Sequence, residues 1–139
     1  MLSDIYVHQF KINMKAAFDG DVWEWHQDHI YWLKEDGMLK PDALTTAIFL
    51  TEANEFNAPL MLIPRSHHLG TVDVASSEQE DGWKSTVAAK LKYTAPKSLV
   101  REQVLKNGII STKGKAGSVL FFHSNTLHAS TKNHLHLIE

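Results

Sequence analysis

Apolar and polar residues alternate in short runs along most of this chain, which predicts strands rather than helices. From Ile5 to Asn13, Tyr6, His8, Phe10 and Ile12 share one face of a predicted strand, while Val7, Gln9, Lys11 and Asn13 share the other. Lys15 continues that second parity. The second face is mostly polar and either meets water or lines a cavity. A turn at Asp19-Gly20-Asp21 leads into an aromatic stretch, Val22 to Leu33, also predicted as strand because Trp23, Trp25, Tyr31 and Trp32 favour pleated surfaces. Leu44 to Thr51 and Leu60 to Ile63 read as buried strands, separated by loops that contain Pro41, Asn54, Asn57 and Pro59.

Farther on, Pro64 to Gly70 reads as a polar loop whose adjacent His67 and His68 would point oppositely in a regular strand and suit a surface role better than metal binding. Ser76 to Tyr93 has weak periodicity and suits a lid or an insertion. Pro96 to Asn107 is the best helix, with Leu99, Val100, Val104 and Leu105 on one face and a stop at Asn107-Gly108. Strands are expected over Gly108 to Thr112 and Ser118 to His123, followed by a segment with His128 and Ser130 on one face, and at Leu135 to Glu139. Six or more short strands and one or two short helices make a mainly β chain, an antiparallel sandwich or barrel in one domain spanning 1–139.

Composition narrows the chemistry. The 139 residues carry a formal net charge of −2, which offers no footprint for nucleic acid or an anionic membrane surface. A small neutral or zwitterionic partner fits better. The absence of cysteine excludes a disulfide framework, a thiolate metal site and a cysteine nucleophile, and suits a cytoplasmic protein. No signal-like start and no run of membrane-spanning length is present. Nine histidines are many for this length, and they are dispersed rather than clustered as a tag.

Within Trp23-Glu24-Trp25-His26-Gln27-Asp28, a regular strand would set His26 and Asp28 on one face, about 6.5 to 7 Å apart. An imidazole and a carboxylate, joined by a second imidazole, form the facial triad that binds non-haem Fe(II) and leaves three positions open. His128 is the candidate third ligand. The open positions leave room for a bidentate 2-oxo acid and for O2. Taken alone, the H-x-D spacing is weak, because most such pairs are surface or hydrogen-bonded residues.

Several motifs carry a family resemblance: Tyr6-Val7-His8-Gln9-Phe10-Lys11-Ile12-Asn13, Gly20-Asp21-Val22-Trp23, Trp25-His26-Gln27-Asp28, Glu35-Asp36-Gly37-Met38, Pro59-Leu60 with Ile63-Pro64 and Ser66-His67, and Gly117-Ser118 leading to His128. They resemble the phytanoyl-CoA dioxygenase superfamily, in its amino-acid hydroxylase branch of bacterial L-proline trans-4-hydroxylase and ectoine hydroxylase. The resemblance implies a double-stranded β-helix, the cupin-like jelly roll, with Fe(II) held by His26, Asp28 and His128. It implies 2-oxoglutarate contacts from Asn13, Lys15, Thr45 and Ser130, and an amino-acid substrate contact from Gln9. A carboxylate at Asp28 favours hydroxylation over halogenation, since related halogenases leave that position to chloride.

The chain departs from the family pattern at both ends. It begins almost at the first shared strand, without the family's N-terminal helical segment. After His128 it contains neither the arginine that grips 2-oxoglutarate in the family nor the last jelly-roll strand, so Lys15 or Lys132 would have to compensate. The expected activity is hydroxylation of free L-proline or a similar cyclic amino acid. The alternatives are an ectoine-type hydroxylase, a truncated and catalytically impaired jelly roll that only binds metal, and a cupin-like zinc or small-ligand module. Unfilled sheet edges would expose backbone groups and favour a homodimer.

Overall fold

A computed structural model describes residues 4–16, 21–74 and 91–134. Two expected elements, most of Ser76 to Tyr93 and the final strand Leu135 to Glu139, lie outside the described residues. Among the described residues there are six strands, β1 Trp23–His26, β2 Leu44–Ile48, β3 Leu60–Leu62, β4 Ile110–Ser111, β5 Val119–His123 and β6 His128–Ser130. They are joined by two α-helices, α1 Asp28–Glu35 and α2 Lys97–Asn107, and a 3-10 turn at Ser66–Leu69. The expectation of a mainly β chain with one or two short helices holds.

All strand pairs are antiparallel. One sheet has the order β1-β6-β3-β4 and the other pairs β2 with β5. The chain passes from one sheet to the other between β1 and β2, back for β3 and β4, and across twice more for β5 and β6. That exchange is the jelly-roll habit. Phe122 of β5 lies 5.0 Å from the His128 ring of β6, centroid to centroid, so the inner face of the β2–β5 pair looks onto the larger sheet.

The core collects where the sheets and α1 meet. Ile63 and Leu127 are fully buried, Ile30 and Ala129 nearly so, and Ile30 packs with Val74 and Tyr93. Backbone and hydroxyl bonds fix this junction. Ile63 N–H donates to Leu127 O at 3.0 Å, Leu127 N–H donates to Ser66 Oγ at 2.8 Å, and Ser66 Oγ donates to Ile63 O at 2.7 Å. Helix α2 ends at Gly108, where φ of +72° suits a residue without Cβ. Pro96 caps this helix instead of opening it.

Three expectations are corrected. Ile5 to Asn13 forms no strand: it is exposed on both faces, and side-chain contacts tether it instead of a ladder. Leu44 to Ile48 is a strand, but Leu44 and Ile48 are largely exposed, so its outer face is not core. The aromatic stretch is not one strand. It breaks at Gln27, and Asp28 begins a helix whose His29, Ile30 and Trp32 face inward. The acidic side chain in the first turn favours that start, because helix N-termini carry partial positive charge.

Candidate metal centre

His26, Asp28 and His128 come together, and one ligand atom from each lies within 4.8 Å of the others. They do so by a route the alternating-strand argument did not contain. His26 ends β1, and Asp28 follows two residues later as the first residue of α1. His128 opens β6, the strand beside β1.

Register explains the convergence. Trp23 pairs with Ser130 and His26 with His128, which is three steps along β1 against two along β6. The extra residue is a β-bulge, and bulges re-aim side chains. Without it Trp25 would oppose His128. With it, the two imidazoles face each other at 4.1 Å between ring centroids.

Each ligand is oriented from behind. His26 Nδ1 donates to Glu24 O at 2.6 Å and His128 Nδ1 to Thr126 O at 2.9 Å. A carbonyl only accepts, so the proton sits on Nδ1 and the Nε2 lone pairs are left to point inward. Those Nε2 atoms lie 3.9 Å and 3.6 Å from Asp28 Oδ1. The other carboxylate oxygen, Oδ2, accepts a 2.6 Å bond from Thr45 Oγ1. Two bonds of about 2.1 Å from one ion reach at most about 4.2 Å, so both separations can be bridged by a single divalent metal.

The electrostatics suit the same ion. Burial, and then the neighbouring His128, hold the pKa of His26 far below its usual value, so its ring is neutral at pH 7. Burial by itself would raise the pKa of Asp28, but the two histidines and the Thr45 bond outweigh it and hold the pKa below the usual carboxylate value. Trp23, Tyr31 and Phe122 rings wall the imidazoles at centroid distances of 6.4, 6.1 and 5.0 Å. Tyr31 is itself pushed up to about 12, chiefly by burial, and stays neutral.

The remaining expected site residues are more dispersed. Ser130 is buried two residues beyond His128. Lys15 Nζ donates to Asp21 O and, at 3.3 Å, to Thr131 O, the residue after Ser130. Burial lowers its pKa to about 8. Thr45 lies against Asp28. Gln9 accepts a 3.2 Å bond from the Trp32 indole, and Asn13 is exposed. His67 and His68 do not point oppositely: their rings lie 4.1 Å apart, tilted by 36°, in the 3-10 turn, and neither belongs to the triad.

Two residues outside the expected site set also bear on the centre. Lys11 sits 5.3 Å above the Trp23 ring, and its charge is felt by both His26 and Asp28. Its shared parity with Gln9 and Asn13 was the available signal. Gln27, between the two adjacent ligands, is almost fully buried and has its whole amide engaged. No periodicity argument marks it.

Comparisons with known proteins bear on the same residues. The family model described as phytanoyl-CoA dioxygenase matches residues 1–134. L-proline trans-4-hydroxylase of Streptomyces griseoviridis is 40% identical over 132 residues, covering 93% of this chain and 49% of that protein. Ectoine dioxygenase of Bordetella bronchiseptica is 41% identical over 132 residues, covering 94% of this chain and 42% of the relative. The crystal structure of EctD from S. alaskensis with 2-oxoglutarate and 5-hydroxyectoine superposes with a TM-score of 0.65 at 30% identity, over 86% of this chain and 36% of the other. A crystal structure of the same protein with bound Fe gives a TM-score of 0.64. The chain therefore spans less than half the length of these relatives, and the part it spans has their jelly-roll fold.

Proposed function

The chain belongs to the phytanoyl-CoA dioxygenase family, and from that premise we propose that it is an Fe(II)- and 2-oxoglutarate-dependent hydroxylase of a free cyclic amino acid, L-proline or one like it. The observation that carries the reading is the triad. Two imidazoles with their Nδ1 protons tied to carbonyls, and one carboxylate with its far oxygen tied to a threonine, present three donors to one point. Two histidines and a carboxylate suit Fe(II) and leave positions for a co-substrate. The proteins it resembles include a proline hydroxylase and an EctD crystallised with 2-oxoglutarate and, separately, with Fe.

Iron held by His26, Asp28 and His128 would supply the oxygen chemistry, in which O2 would oxidise 2-oxoglutarate to succinate and CO2 and leave its second oxygen atom on the substrate as a hydroxyl. The protein's own residues bind and orient. His26 stays neutral, Asp28 stays charged, and Trp23, Tyr31 and Phe122 limit water around the ligands. Lys15, whose Nζ reaches the Thr131 carbonyl, serves the carboxylate of 2-oxoglutarate together with Ser130, Asn13 and Thr45. Gln9 serves the amino acid.

An ectoine-type substrate is favoured equally by sequence, at 41% identity against 40% for the proline enzyme. One experiment separates them. Protein loaded anaerobically with Fe(II) is given 2-oxoglutarate, air and either L-proline or ectoine, and succinate and hydroxylated product are measured together. Product with proline supports the first reading and product with ectoine the second. Metal uptake with no succinate from either, or from pipecolate, leaves a metal-binding jelly roll without turnover.

A further inference from the structure

Gln27 stands between the two ligands His26 and Asp28, yet its side chain turns away from them into the protein, where it is 3% exposed. There its amide is fully used. Nε2 donates to Gly70 O at 2.9 Å and to Asn125 O at 2.7 Å, while Oε1 accepts from Val72 N at 2.8 Å. A primary amide has two donor hydrogens and a carbonyl oxygen, so both donors are used and the oxygen is engaged.

The partners matter more than the count. Asn125 lies in the turn between β5 and β6, and the next carbonyl, that of Thr126, accepts the Nδ1 proton of His128. The carbonyl that Gln27 grips and the carbonyl that aims the third ligand therefore belong to adjacent residues. A second tie runs alongside: His29 N donates to Ser124 O at 3.1 Å. The bulge sets His26 opposite His128 within the sheet, but it does not hold Asp28, which belongs to α1. The bonds of Gln27 join the start of α1 to the turn that carries His128.

We propose that Gln27 is a positioning residue for the metal centre, a clasp that fixes the distance between the His26–Asp28 pair and His128 through the Asn125 carbonyl. The inference rests on the triad being a metal site. It requires an amide at this position. A carboxylate there cannot donate to Gly70 O or Asn125 O and would face both carbonyl oxygens with negative charge. An apolar side chain of similar length takes this partner away from the buried Asn125 carbonyl and from the part-buried Gly70 carbonyl and Val72 N–H.

The test uses Co(II) alone as the probe, because its visible absorption reports geometry and it follows Fe(II) closely in ligand preference. The protein without metal is titrated as wild type, Gln27→Glu, Gln27→Met, His26→Ala and Gln103→Leu, below the melting temperature of each. Gln103 is an equally buried amide on α2, bonded to Asn107, and serves as the control for general loss of packing. The expected result is a fall in Co(II) affinity of about 10–100-fold in both Gln27 variants, the range seen when outer partners of ligands are removed. Their visible bands should shift as well, while Gln103→Leu melts earlier but binds as wild type does. Unchanged affinity and bands in both Gln27 variants overturn the inference. So does a Gln103→Leu protein that loses affinity to the same degree, or a pair of Gln27 variants that do not fold at all, which would make Gln27 a determinant of the fold. Wild-type protein that takes up no more Co(II) than His26→Ala overturns the metal reading itself, and this inference with it.

Discussion

His26 and His128 are cross-strand partners whose rings stand 4.1 Å apart, although most of the chain separates them in sequence. Their pairing makes the site a property of the sheet. Two neighbouring strands, one bulge and the residue that starts the next helix are enough to assemble three donors. The site therefore depends on the β1–β6 register more than on any loop, and a one-residue slip would turn one imidazole to the opposite face.

Replacing His128 by alanine should abolish metal uptake while leaving the fold in place. The main chain of residue 128 pairs with His26 on one side and Leu62 on the other, and neither pairing uses the imidazole. We expect a loss of Co(II) affinity beyond the roughly 100-fold that an outer partner accounts for, an unchanged far-ultraviolet dichroism spectrum, and partial recovery on adding free imidazole. A variant that still binds Co(II) normally would place the metal elsewhere.

Thr45 separates two roles that one residue could hold. Its hydroxyl lies 2.6 Å from Asp28 Oδ2, whereas the family resemblance assigns it to 2-oxoglutarate. Thr45→Val removes the hydroxyl and keeps the branched shape. If orienting Asp28 is its task, Co(II) affinity falls by about 10-fold or more and Thr45→Ser restores it. If the co-substrate is its concern, KM for 2-oxoglutarate rises and Co(II) binding does not change.

Alternation located β3 and β5 to within one residue and β2 at its start, its end falling three residues short of the expected Thr51, since each runs regularly between turn residues. It failed for the two segments nearest the site. The aromatic run from Trp23 was read as one strand because tryptophan and tyrosine favour strands, but buried positions at 28, 29, 30 and 32 follow a helix. The three ligands were legible as residue types, and the motif around His26 and Asp28 marked them. Their means of convergence was not, because a bulge leaves no trace in the polar pattern. Gln27 was illegible for a related reason: only the tertiary contacts distinguish a buried, fully bonded glutamine from a surface one. Ile5 to Asn13 alternates well yet forms no ladder, since alternation supplies a face and not a partner strand.

Lys15 gives the site a pH dependence. Burial lowers its pKa to about 8 from an ordinary 10.5. A carboxylate ligand needs the ammonium form, so 2-oxoglutarate binding should weaken as the pH rises through about 8. A bound dianion favours the charged form, which moves the midpoint of the complex upward. The stability effect has the opposite sign. Between about 8 and 10.5 the unfolded chain holds a proton on Lys15 that the folded chain has released, so folding gains from rising pH in that window. The gain is small because Lys15 is only half-buried. Lys15→Met should raise KM for 2-oxoglutarate and flatten its pH profile between 7 and 9. Measuring KM across that range in both proteins checks it, and an unchanged profile would remove Lys15 from the co-substrate site.

Leu127 precedes His128 and is fully buried, with its N–H bonded to Ser66 Oγ and its carbonyl to the Ile63 N–H. Its side chain lines a small cavity together with Gln27, Ile30, Val72 and Tyr93. Truncation to alanine would enlarge that space in a region already held at both backbone bonds, where collapse is limited. The expected cost is about 2–5 kcal/mol, read as a lower midpoint in urea unfolding. Leu127→Met keeps the volume and should cost less than about 1.5 kcal/mol. Because Leu127 also packs against the Gln27 side of the centre, the alanine variant should lose Co(II) affinity as well, and by more than Ile110→Ala on the exposed edge strand β4. A Leu127→Ala protein as stable as wild type would mean that the junction beneath the triad repacks freely, contrary to the rigid support the bonding there implies.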